Sequence, residues 1–321
     1  MSAIDNILRV LEHINSRTVT VFGDFCLDKY LYIDPARDET SVETGLTAYQ
    51  AERKVLYPGA GGTVANNLRS LGANVLCAGL VGDDGEGYDL LKCLEQIGVD
   101  TKLMVQSDTI LTNTYMKPMR GADKNYSEMN RIDIRSFQET SKELERQLIV
   151  NLRKAVDASH GVVIIDQFLQ RNCSVITDCV RDELAALALR YPDKFFLADS
   201  RGFAGDYRSI IVKCNQFEQP GAIENLVATN RAVVVTLGAE GALVYESGMM
   251  VRIPAFPVEG PLDIVGAGDA TNAGTILGLT LGLTLPEAVL LGGCVSSITI
   301  QQVGITGTAS IGQVQEQLTR V

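Results

Sequence analysis

The chain of 321 residues has a formal net charge of −11 at pH 7, and 46% of its residues are apolar. That length and apolar content suffice for a large buried core, whereas an acidic chain without clustered Lys and Arg does not offer a general nucleic-acid surface. No apolar run reaches the roughly 18 to 20 residues that a bilayer span needs, and the N-terminal segment has the pattern of an amphipathic helix. We therefore expect a globular, cytoplasmic protein with no membrane and no nucleic-acid partner.

The seven cysteines are odd in number, scattered and mostly in apolar segments, which predicts reduced, buried thiols and no disulfide framework. With two histidines and no metal-ligand spacing between cysteines, the sequence does not favour a zinc site. No glycine-rich loop ends in Gly-Lys-Ser or Gly-Lys-Thr, so the Walker nucleotide-binding pattern is absent. The composition leaves open an enzyme that acts on small substrates, including anionic ones.

Along the chain, short β-branched runs alternate with helical patterns. Strands are predicted over 18–24, 74–82, 161–167, 194–200, 209–214, 232–238 and 241–247. Helices are predicted over 63–71, 85–97, 137–157, 172–190, 268–282 and 285–302. Continuous apolar strands that alternate with helices predict an α/β fold of three layers, α/β/α, with a mostly parallel central sheet.

Two segments, at about 30–57 and 101–135, are more polar than their surroundings. Stretches within the second, such as TNTYMKPM at 112–119, have the pattern of exposed strands and not of sheet core. We expect both segments to form a small β lid over the main domain. Since no Pro- or Ser-rich linker separates them from the rest, the expected organisation is a single domain over 1–321 with the lid inserted in it.

A glycine-rich segment, PGAGGTVANN at 58–67, precedes a predicted helix. It could be taken for the fingerprint of a dinucleotide-binding protein. Val64 stands where the third glycine of that fingerprint is required, however, and no strand clearly leads into the turn. A dehydrogenase is therefore only a minor alternative.

The stretch DIVGAGDATNAG at 263–274 places two acids on either side of a turn of small residues. Glycines at 266 and 268 allow the backbone to bend so that successive N–H groups face a ligand, and the following helix adds its N-terminal dipole. Asp269, in the first turn of this helix, could then accept a proton from a hydroxyl that attacks a phosphoryl group. The alternative is that Asp269 only caps the helix and that the glycines only ease packing.

This stretch resembles the DxxGAGD signature of the ribokinase (PfkB) family of carbohydrate kinases, and four other elements occur in the family's order. They are GDFCLD at 23–28, the glycine-rich segment at 58–72, NQFE at 215–218 and TLGAEGA at 236–242. The resemblance covers residues 18 to about 310 and implies a ribokinase-like fold. It also implies ATP-dependent phosphorylation of a sugar or sugar-phosphate hydroxyl, with ATP and Mg²⁺ as cofactors and room for a monovalent cation.

The resemblance further implies roles for single residues. At the catalytic centre it assigns Asp269 as the general base and, as the anion hole, the backbone of Gly266, Ala267 and Gly268. On the acceptor side the implied substrate-binding residues are Asp28, Gly59, Thr63 and Arg131. On the nucleotide side they are Thr236, Gly238 and Asp263, the last mainly as the group that orders the loop. Magnesium, through its water shell, is assigned to Asn215 and Glu218, which could instead form an ordinary loop cap.

The chain departs from the family pattern at Thr63, where the sugar-binding residue is usually Asn. Either the substrate differs, or a neighbour such as Asn66 or Asn67 compensates for the shorter side chain. The segment between Glu218 and the strand at 232 is also short, so we expect a helical portion of the family fold to be trimmed. These departures leave two alternatives open, a non-catalytic sugar-binding or regulatory protein on the kinase fold and a nucleoside kinase.

Within the family, the segment VFGDFCLDKYLY at 21–32 and the stretch LADSRGFAGDYRS at 197–209 are most similar to those of heptose-phosphate kinases. In the second stretch Ser200 and Arg201 replace the Pro and Lys of an Asp-Pro-Lys-Gly motif. A group of lid cations is expected to bind a sugar phosphate, unless it is an ordinary solvated surface, and consists of Lys117, Arg120, Lys124 and Arg131. The likeness also allows a homodimer joined through lid strands. Because the chain stops soon after the kinase motif, we expect no nucleotidyltransferase domain of the kind that accompanies some heptose kinases.

Overall fold

The computed structural model of the chain describes residues 2–123, 125–218 and 221–320, which form sixteen strands and nine α-helices. The strands are β1 (Thr18–Gly23), β2 (Phe25–Ile33), β3 (Glu39–Thr40), β4 (Thr47–Ala48), β5 (Ala51–Ala60), β6 (Asn74–Gly82), β7 (Val105–Ser107), β8 (Thr114–Ala122), β9 (Asn125–Glu128), β10 (Ile132–Ile134), β11 (Gly161–Asp166), β12 (Phe195–Ser200), β13 (Ile211–Asn215), β14 (Ala232–Thr236), β15 (Ala242–Glu246) and β16 (Met249–Ile253). The helices are α1 (Ala3–Val10), α2 (Gly61–Ser70), α3 (Gly85–Gln96), α4 (Lys142–Ala158), α5 (Asp178–Arg190), α6 (Ile223–Thr229), α7 (Ala267–Thr280), α8 (Leu285–Thr299) and α9 (Ile311–Thr319).

Nine strands form one large sheet in the order β16-β15-β14-β13-β12-β11-β1-β6-β7. Neighbouring strands are parallel from β7 to β14, and the pairs β14–β15 and β15–β16 are antiparallel. Its centre is built from continuous apolar runs such as GVVIID in β11, all six residues of which are buried. The carboxyl ends of β1, β11, β12, β13 and β14 meet at one edge, where ligand sites of open α/β sheets form.

Helices cover both faces of this sheet, and alternate residues of β11 show the division. Val163 and Ile165 belong to the same buried cluster as Ile276 on α7, on the face that also carries α2 and α8. Val162 belongs to the cluster of Leu148 on α4, on the face that carries α5. Strands buried on both faces are what a parallel sheet between two helical layers requires. The predicted α/β/α architecture with a mostly parallel central sheet is confirmed.

Strands β2, β5, β8, β9 and β10 form a smaller sheet, in the order β10-β8-β2-β5 with β9 paired to β8. Strands β2 and β8 are parallel, and the other pairs are antiparallel. The small sheet joins the large one at Asp24, whose N–H donates to the carbonyl of Ile165 (2.9 Å) and whose carbonyl accepts from the N–H of Gly61 (2.9 Å). It is therefore attached beside the carboxyl edge of the large sheet, in the position of a lid.

The lid strands differ in extent from the segments that the sequence suggested. Strand β2 starts at Phe25 and β5 ends at Ala60, beyond the expected 30–57. The expected segment 101–135 was wrong at its start, because Val105–Ser107 pairs with Leu80–Gly82 as the edge strand of the large sheet. This stretch looks polar because the edge strand is three residues long and buries one side chain, Val105.

Two helices begin later than predicted because a side chain caps each of them. Ser141 Oγ accepts a hydrogen bond from the N–H of Leu144 (3.3 Å), so α4 begins at Lys142 instead of 137. Thr177 Oγ1 accepts one from the N–H of Val180 (3.2 Å), so α5 begins at 178 instead of 172. The elements that were not predicted from the sequence include β16, the helix α9 and the seven-residue helix α6. Helix α6 lies in the segment expected to be trimmed.

All seven cysteines are free, and four of them are buried, in agreement with the expectation of reduced thiols. In the part of the chain that the structure describes, no helix has both the length and the hydropathy of a bilayer span.

Candidate active site

The turn before α7 is built to present backbone amides to an anion. Gly266 has a φ of +80°, and a Cβ on it would lie 2.7 Å from Thr306 Cγ2, so the turn requires glycine there. Asp263 Oδ1 accepts a hydrogen bond from the N–H of Val265 (3.1 Å), and its Oδ2 accepts one from the N–H of Gly304 (3.0 Å). Asp263 thus holds the shape of the turn. No side chain among the described residues caps α7. The N–H of Ala267 donates to the carbonyl of Ile264 (3.1 Å), so the amides that stay open to a ligand are those of Gly268 and Asp269.

Asp269 lies in the first turn of α7, next to these amides. Burial, together with the neighbouring carboxylate of Asp199, raises the pKa of Asp269 to about 7, against the opposing charges of Lys213 and Arg201. A carboxyl group with such a pKa is substantially ionised at neutral pH and is well matched to take up a proton there. The group therefore has the ionisation that a general base requires.

A buried ion pair lies beside the turn and Asp269. Lys213 Nζ lies 2.7 Å from Asp199 Oδ2, and Asn272 Nδ2 on α7 donates to the same oxygen at 2.5 Å. A Cβ on Gly268 would lie 3.6 Å from Lys213 Nζ and 3.9 Å from Asp199 Oδ2, so the pair faces the turn. Burial lowers the pKa of Lys213, but Asp199, together with Glu218 and Asp269, raises it by more than this, and the ammonium stays charged.

The carboxylate of Asp28 on β2 reaches over Gly59 on β5, although the residue opposite Gly59 in this antiparallel pair is Cys26. A Cβ on Gly59 would lie 2.5 Å from Asp28 Oδ2, so a side chain there would displace the carboxylate. Asp28 Oδ1 lies 2.8 Å from Lys117 Nζ, which also donates to Tyr30 Oη (3.0 Å). Asp28 is among the groups that raise the pKa of Asp269, so the two carboxylates are close enough to influence each other. The structure thus brings Asp28 and Gly59 towards the base, and it adds Lys117 as a partner of Asp28.

Thr63 lies where the lid joins the anion-binding turn. Its Cγ2 would lie 3.4 Å from a Cβ on Gly266. Asn67 does not replace the family's Asn in the cleft, because it is fully buried and donates to the carbonyls of Thr63 (3.1 Å) and Gly307 (3.4 Å). Asn66 is half-buried on α2. Thr63 is therefore the polar side chain that borders the turn at this position.

The expected group of lid cations is neutralised by aspartates. Arg131 donates two hydrogen bonds to the carboxylate of Asp133, at 2.7 and 2.8 Å, and this pair holds it on the lid. Lys124 lies outside the described residues. The other two members are paired as well, Lys117 with Asp28 and Arg120 with Asp38.

The residues assigned to magnesium and ATP lie at the ends of β13 and β14. Asn215 Oδ1 accepts hydrogen bonds from the N–H groups of Phe217 (2.8 Å) and Glu218 (2.9 Å), and Glu218 Oε2 accepts one from the N–H of Asn215 (3.2 Å). This geometry is the loop cap that the sequence left as an alternative. Thr236 is the last residue of β14, and Gly238, with a φ of +60°, begins the turn after it.

Among the described residues, no group of three or more His, Cys, Asp or Glu side chains is placed so that it could hold a metal ion. The cap at Asn215 and Glu218 nevertheless presents oxygen atoms, which are the ligands that Mg²⁺ prefers. A magnesium ion here would therefore be held largely through waters and phosphate oxygens. The side-chain oxygens of Asn215 and Glu218, at this edge of the sheet, fit such binding.

Asp199 and Lys213 border the candidate base, although sequence reasoning did not assign them to the site. The available signal was that the apolar runs FFLADS and IIVKC both end in charged residues. The carboxyl end of a parallel strand is where ligand sites form in such sheets. Spacing alone does not bring the two side chains together, because their contact depends on the register that places Asp199 opposite Lys213.

Comparison with known proteins agrees with this architecture. A family model described as pfkB family carbohydrate kinase matches residues 18–311. Among curated proteins, the bifunctional protein HldE of Sulfurimonas denitrificans is 24% identical over 322 residues, which covers 96% of this chain and 65% of that protein. The chain thus spans just under two thirds of the length of this relative.

Solved structures with similar folds include Arabidopsis thaliana ribokinase in complex with ribose and ATP. It has a TM-score of 0.67 and 17% identity, over 94% of this chain and 98% of that chain. Phosphofructokinase-2 from Escherichia coli, in complex with potassium, has a TM-score of 0.70 and 20% identity, over 95% of this chain and 98% of that chain. At these identities the likeness concerns the fold, and the expected ribokinase-like fold is confirmed.

Proposed function

Since this chain belongs to the pfkB family of carbohydrate kinases, we propose that it phosphorylates a hydroxyl group of a sugar or sugar phosphate with ATP, with Asp269 as the general base. The observation that carries the proposal is the position of Asp269. A carboxyl group with a pKa of about 7 lies beside the open amides at the start of α7. The amides suit the anionic γ-phosphate, and the carboxylate suits the proton of the attacking hydroxyl.

In the proposed reaction the acceptor lies between the lid and α7. The carboxylate of Asp28, next to Gly59 and Thr63, accepts hydrogen bonds from sugar hydroxyls and so holds the acceptor. Asp269 takes the proton of one hydroxyl as its oxygen attacks the γ-phosphorus in line with the leaving oxygen of ADP. The backbone amides of Gly266 and Gly268 stabilise the charge on the transferred group, the bond to ADP breaks, and ADP leaves. The lid excludes water from this step.

The nucleotide side of the proposal rests on the carboxyl ends of β13 and β14. Thr236 and Gly238 contact ATP there, and Asn215 and Glu218 hold the water shell of Mg²⁺. When bound, Mg²⁺ neutralises phosphate charge. A monovalent cation and a homodimer through the lid strands belong to the same proposal, because the family resemblance allows both.

ADP release over a panel of sugars, sugar phosphates and nucleosides tests the proposal. The panel includes a heptose and its monophosphate, because the stretches at 21–32 and 197–209 resemble those of heptose-phosphate kinases. The wild-type protein should release ADP with at least one sugar or sugar phosphate. Asp269→Asn should lower turnover by at least about 100-fold, because a positioned general base contributes about that much or more. Asp193→Asn, which makes the same change at an exposed residue before β12, is the matched control and should behave as wild type.

Two results would separate the alternatives. Normal turnover by Asp269→Asn, with folding and ATP binding unchanged, would overturn the assignment of the base. Binding of sugars without any ADP release would favour a non-catalytic sugar-binding or regulatory protein, which the substitution at Thr63 motivates. Turnover confined to nucleosides would identify a nucleoside kinase instead.

A further inference from the structure

Arg201 follows the last residue of β12, and the chain holds its backbone in place. The N–H of Arg201 donates to the carbonyl of Asp166 (3.1 Å). Ser200 Oγ donates to Asp166 Oδ2 (2.9 Å) and accepts a hydrogen bond from the N–H of Phe203 (2.9 Å). Tyr207 Oη donates to the same oxygen of Asp166 (2.9 Å). The backbone around Arg201 is therefore anchored on both sides to one buried carboxylate.

The side chain of Arg201 is exposed, and it forms no ion pair and no hydrogen bond with any residue that the structure describes. Its positive charge nevertheless lowers the pKa of three neighbouring groups. Burial raises the pKa of Cys26, Tyr115 and Asp269, and Arg201 is among the charges that oppose this rise in each case. Cys26 and Tyr115 belong to the lid strands β2 and β8, and Asp269 belongs to α7. The backbone geometry agrees with this, because Arg201 lies two residues after Asp199, which pairs with Lys213 beside the turn of α7, and next to the end of β11, where the N–H of Gln167 donates to Asp24 at the lid junction. Arg201 therefore starts from the carboxyl edge of the sheet, where the lid and the candidate base meet.

This situation differs from that of the lid cations described above. An anion that bound Lys117, Arg120 or Arg131 would compete with an aspartate already paired to it. Arg201 can offer its five N–H donors to a ligand without breaking a contact. Guanidinium groups bind the oxygens of phosphate and carboxylate in pairs, which gives geometric selectivity as well as affinity.

Resting on the proposed kinase function, we propose that Arg201 is a specificity-determining residue that binds an acidic group, a phosphate monoester or a carboxylate, on the acceptor sugar. The acceptor is favoured over ATP because the lid groups near Arg201 lie on the strands that also carry Asp28 and its partner. The residues assigned to ATP, Thr236 and Gly238, lie at the carboxyl end of β14, which is two strands further along the sheet. An acceptor would then present its acidic group to Arg201 and its reacting hydroxyl to Asp269.

Binding of matched acceptors tests this assignment. The probes are ribose with ribose 5-phosphate, fructose with fructose 6-phosphate, a heptose with its monophosphate, glucose with gluconate, and ATP. Dissociation constants are measured by calorimetry, and kcat/KM is measured for every acceptor that is turned over. The variants are Arg201→Gln and Arg201→Lys. The control is Arg208→Gln, which removes the same charge from an exposed arginine before β13, at the opposite edge of the sheet.

The wild-type protein and Arg208→Gln should bind at least one anionic acceptor about 10- to 100-fold more tightly than its neutral partner, as expected for charge-assisted hydrogen bonds. Arg201→Gln should abolish this preference. Its dissociation constants for neutral acceptors and for ATP, and its melting temperature, should equal those of the wild-type protein. Arg201→Lys should keep only part of the preference, because a lysine cannot form the paired contact. The comparison of phosphates with gluconate tells which acidic group the site accepts.

Two outcomes would overturn the assignment. One is a wild-type protein that binds no anionic acceptor better than its neutral partner. The other is an Arg201→Gln variant that binds ATP more weakly than the wild-type protein does, or that binds all acceptors more weakly by the same factor. Failure of the kinase proposal would differ from both, since the wild-type protein would then release no ADP with any acceptor, whatever the charge of that acceptor.

Discussion

Replacing Asp199 with Asn is expected to move the pH dependence of catalysis. The carboxylate of Asp199 is one of the groups that raise the pKa of Asp269 to about 7. Asp199 Oδ2 accepts hydrogen bonds from Lys213 and Asn272, and an Asn side chain keeps an oxygen for these donors. The substitution therefore removes a negative charge near Asp269 and leaves the positive charge of Lys213 uncompensated. Both changes favour the ionised form of Asp269 and lower its pKa.

The direction and the size of the effect follow from the ionisation of the base. Asp269 acts as a carboxylate, so kcat/KM for the acceptor is full above its pKa and falls as the pH drops through it. With a pKa of about 7, roughly a tenth of the wild-type protein carries the ionised base at about pH 6. A nearby charge commonly shifts the pKa of a carboxyl group by about one unit or more, and one unit corresponds to about 1.4 kcal/mol. Asp199→Asn should therefore keep its activity to a pH at least about one unit lower than wild type.

The assay is coupled ADP release between about pH 5 and pH 9, with ATP and Mg²⁺ saturating at every pH. Asp193→Asn serves again as the control for a lost exposed carboxylate. Melting temperatures separate a shifted profile from unfolding, because removing one partner of a buried ion pair costs about 3–5 kcal/mol. The reasoning would be refuted if the acid limb of the variant stayed in place or moved upward. A wild-type profile that is flat down to about pH 5 would refute it as well.

Three other substitutions have expected outcomes. Gly266→Ala should lower kcat strongly, and in urea titrations it should lower the free energy of unfolding by about 1–2 kcal/mol. The reason is that Gly266 has a φ of +80° and that the added Cβ would meet Thr306. A variant with wild-type kcat would contradict the account of the turn. Asp24→Asn is expected to change how stability depends on pH. Burial, and then the carboxylate of Asp166, raises the pKa of Asp24 to about 7. Between about pH 4 and pH 7 the native protein therefore keeps a proton that the unfolded chain has lost, and the free energy of unfolding falls by up to roughly 4 kcal/mol as the pH rises through this range. Urea titrations at about pH 5 and pH 8 should differ less for Asp24→Asn than for wild type, and an equal difference would speak against this ionisation. Asp28→Asn should raise KM for the acceptor about tenfold or more and leave KM for ATP unchanged, whereas an effect on ATP alone would place Asp28 outside the acceptor site.

The central sheet and the anion-binding turn are encoded locally, which is why the sequence indicates both. Strand β11 is an uninterrupted apolar run whose residues are all buried. The turn before α7 depends on the backbone freedom of Gly266 and on a following run of small helical residues. Neither feature requires knowledge of a distant partner, so a pattern within a dozen residues is enough to recognise it.

The pairing of charges around the cleft is not encoded locally. Tyr30 stands opposite Lys117 in the parallel pair β2–β8, and this register brings Lys117 within 2.8 Å of Asp28. Asp199 and Lys213 meet in the same way, through the register of β12 and β13. Composition and spacing do not specify a register between distant strands. The sequence therefore predicted a free cationic lid where the structure has ion pairs, and it missed the buried pair beside Asp269.

A single-turnover reaction tests most directly whether Asp269 is the base of a sugar-kinase centre. Enzyme in excess over ATP is mixed with the best acceptor of the panel, quenched, and analysed by ³¹P NMR for phosphorylated sugar. We predict that the wild-type protein converts bound ATP to ADP and one equivalent of phosphorylated acceptor. Asp269→Asn should bind ATP with an unchanged Kd and form this product at least about 100-fold more slowly. Formation of the product by Asp269→Asn at the wild-type rate would contradict the account.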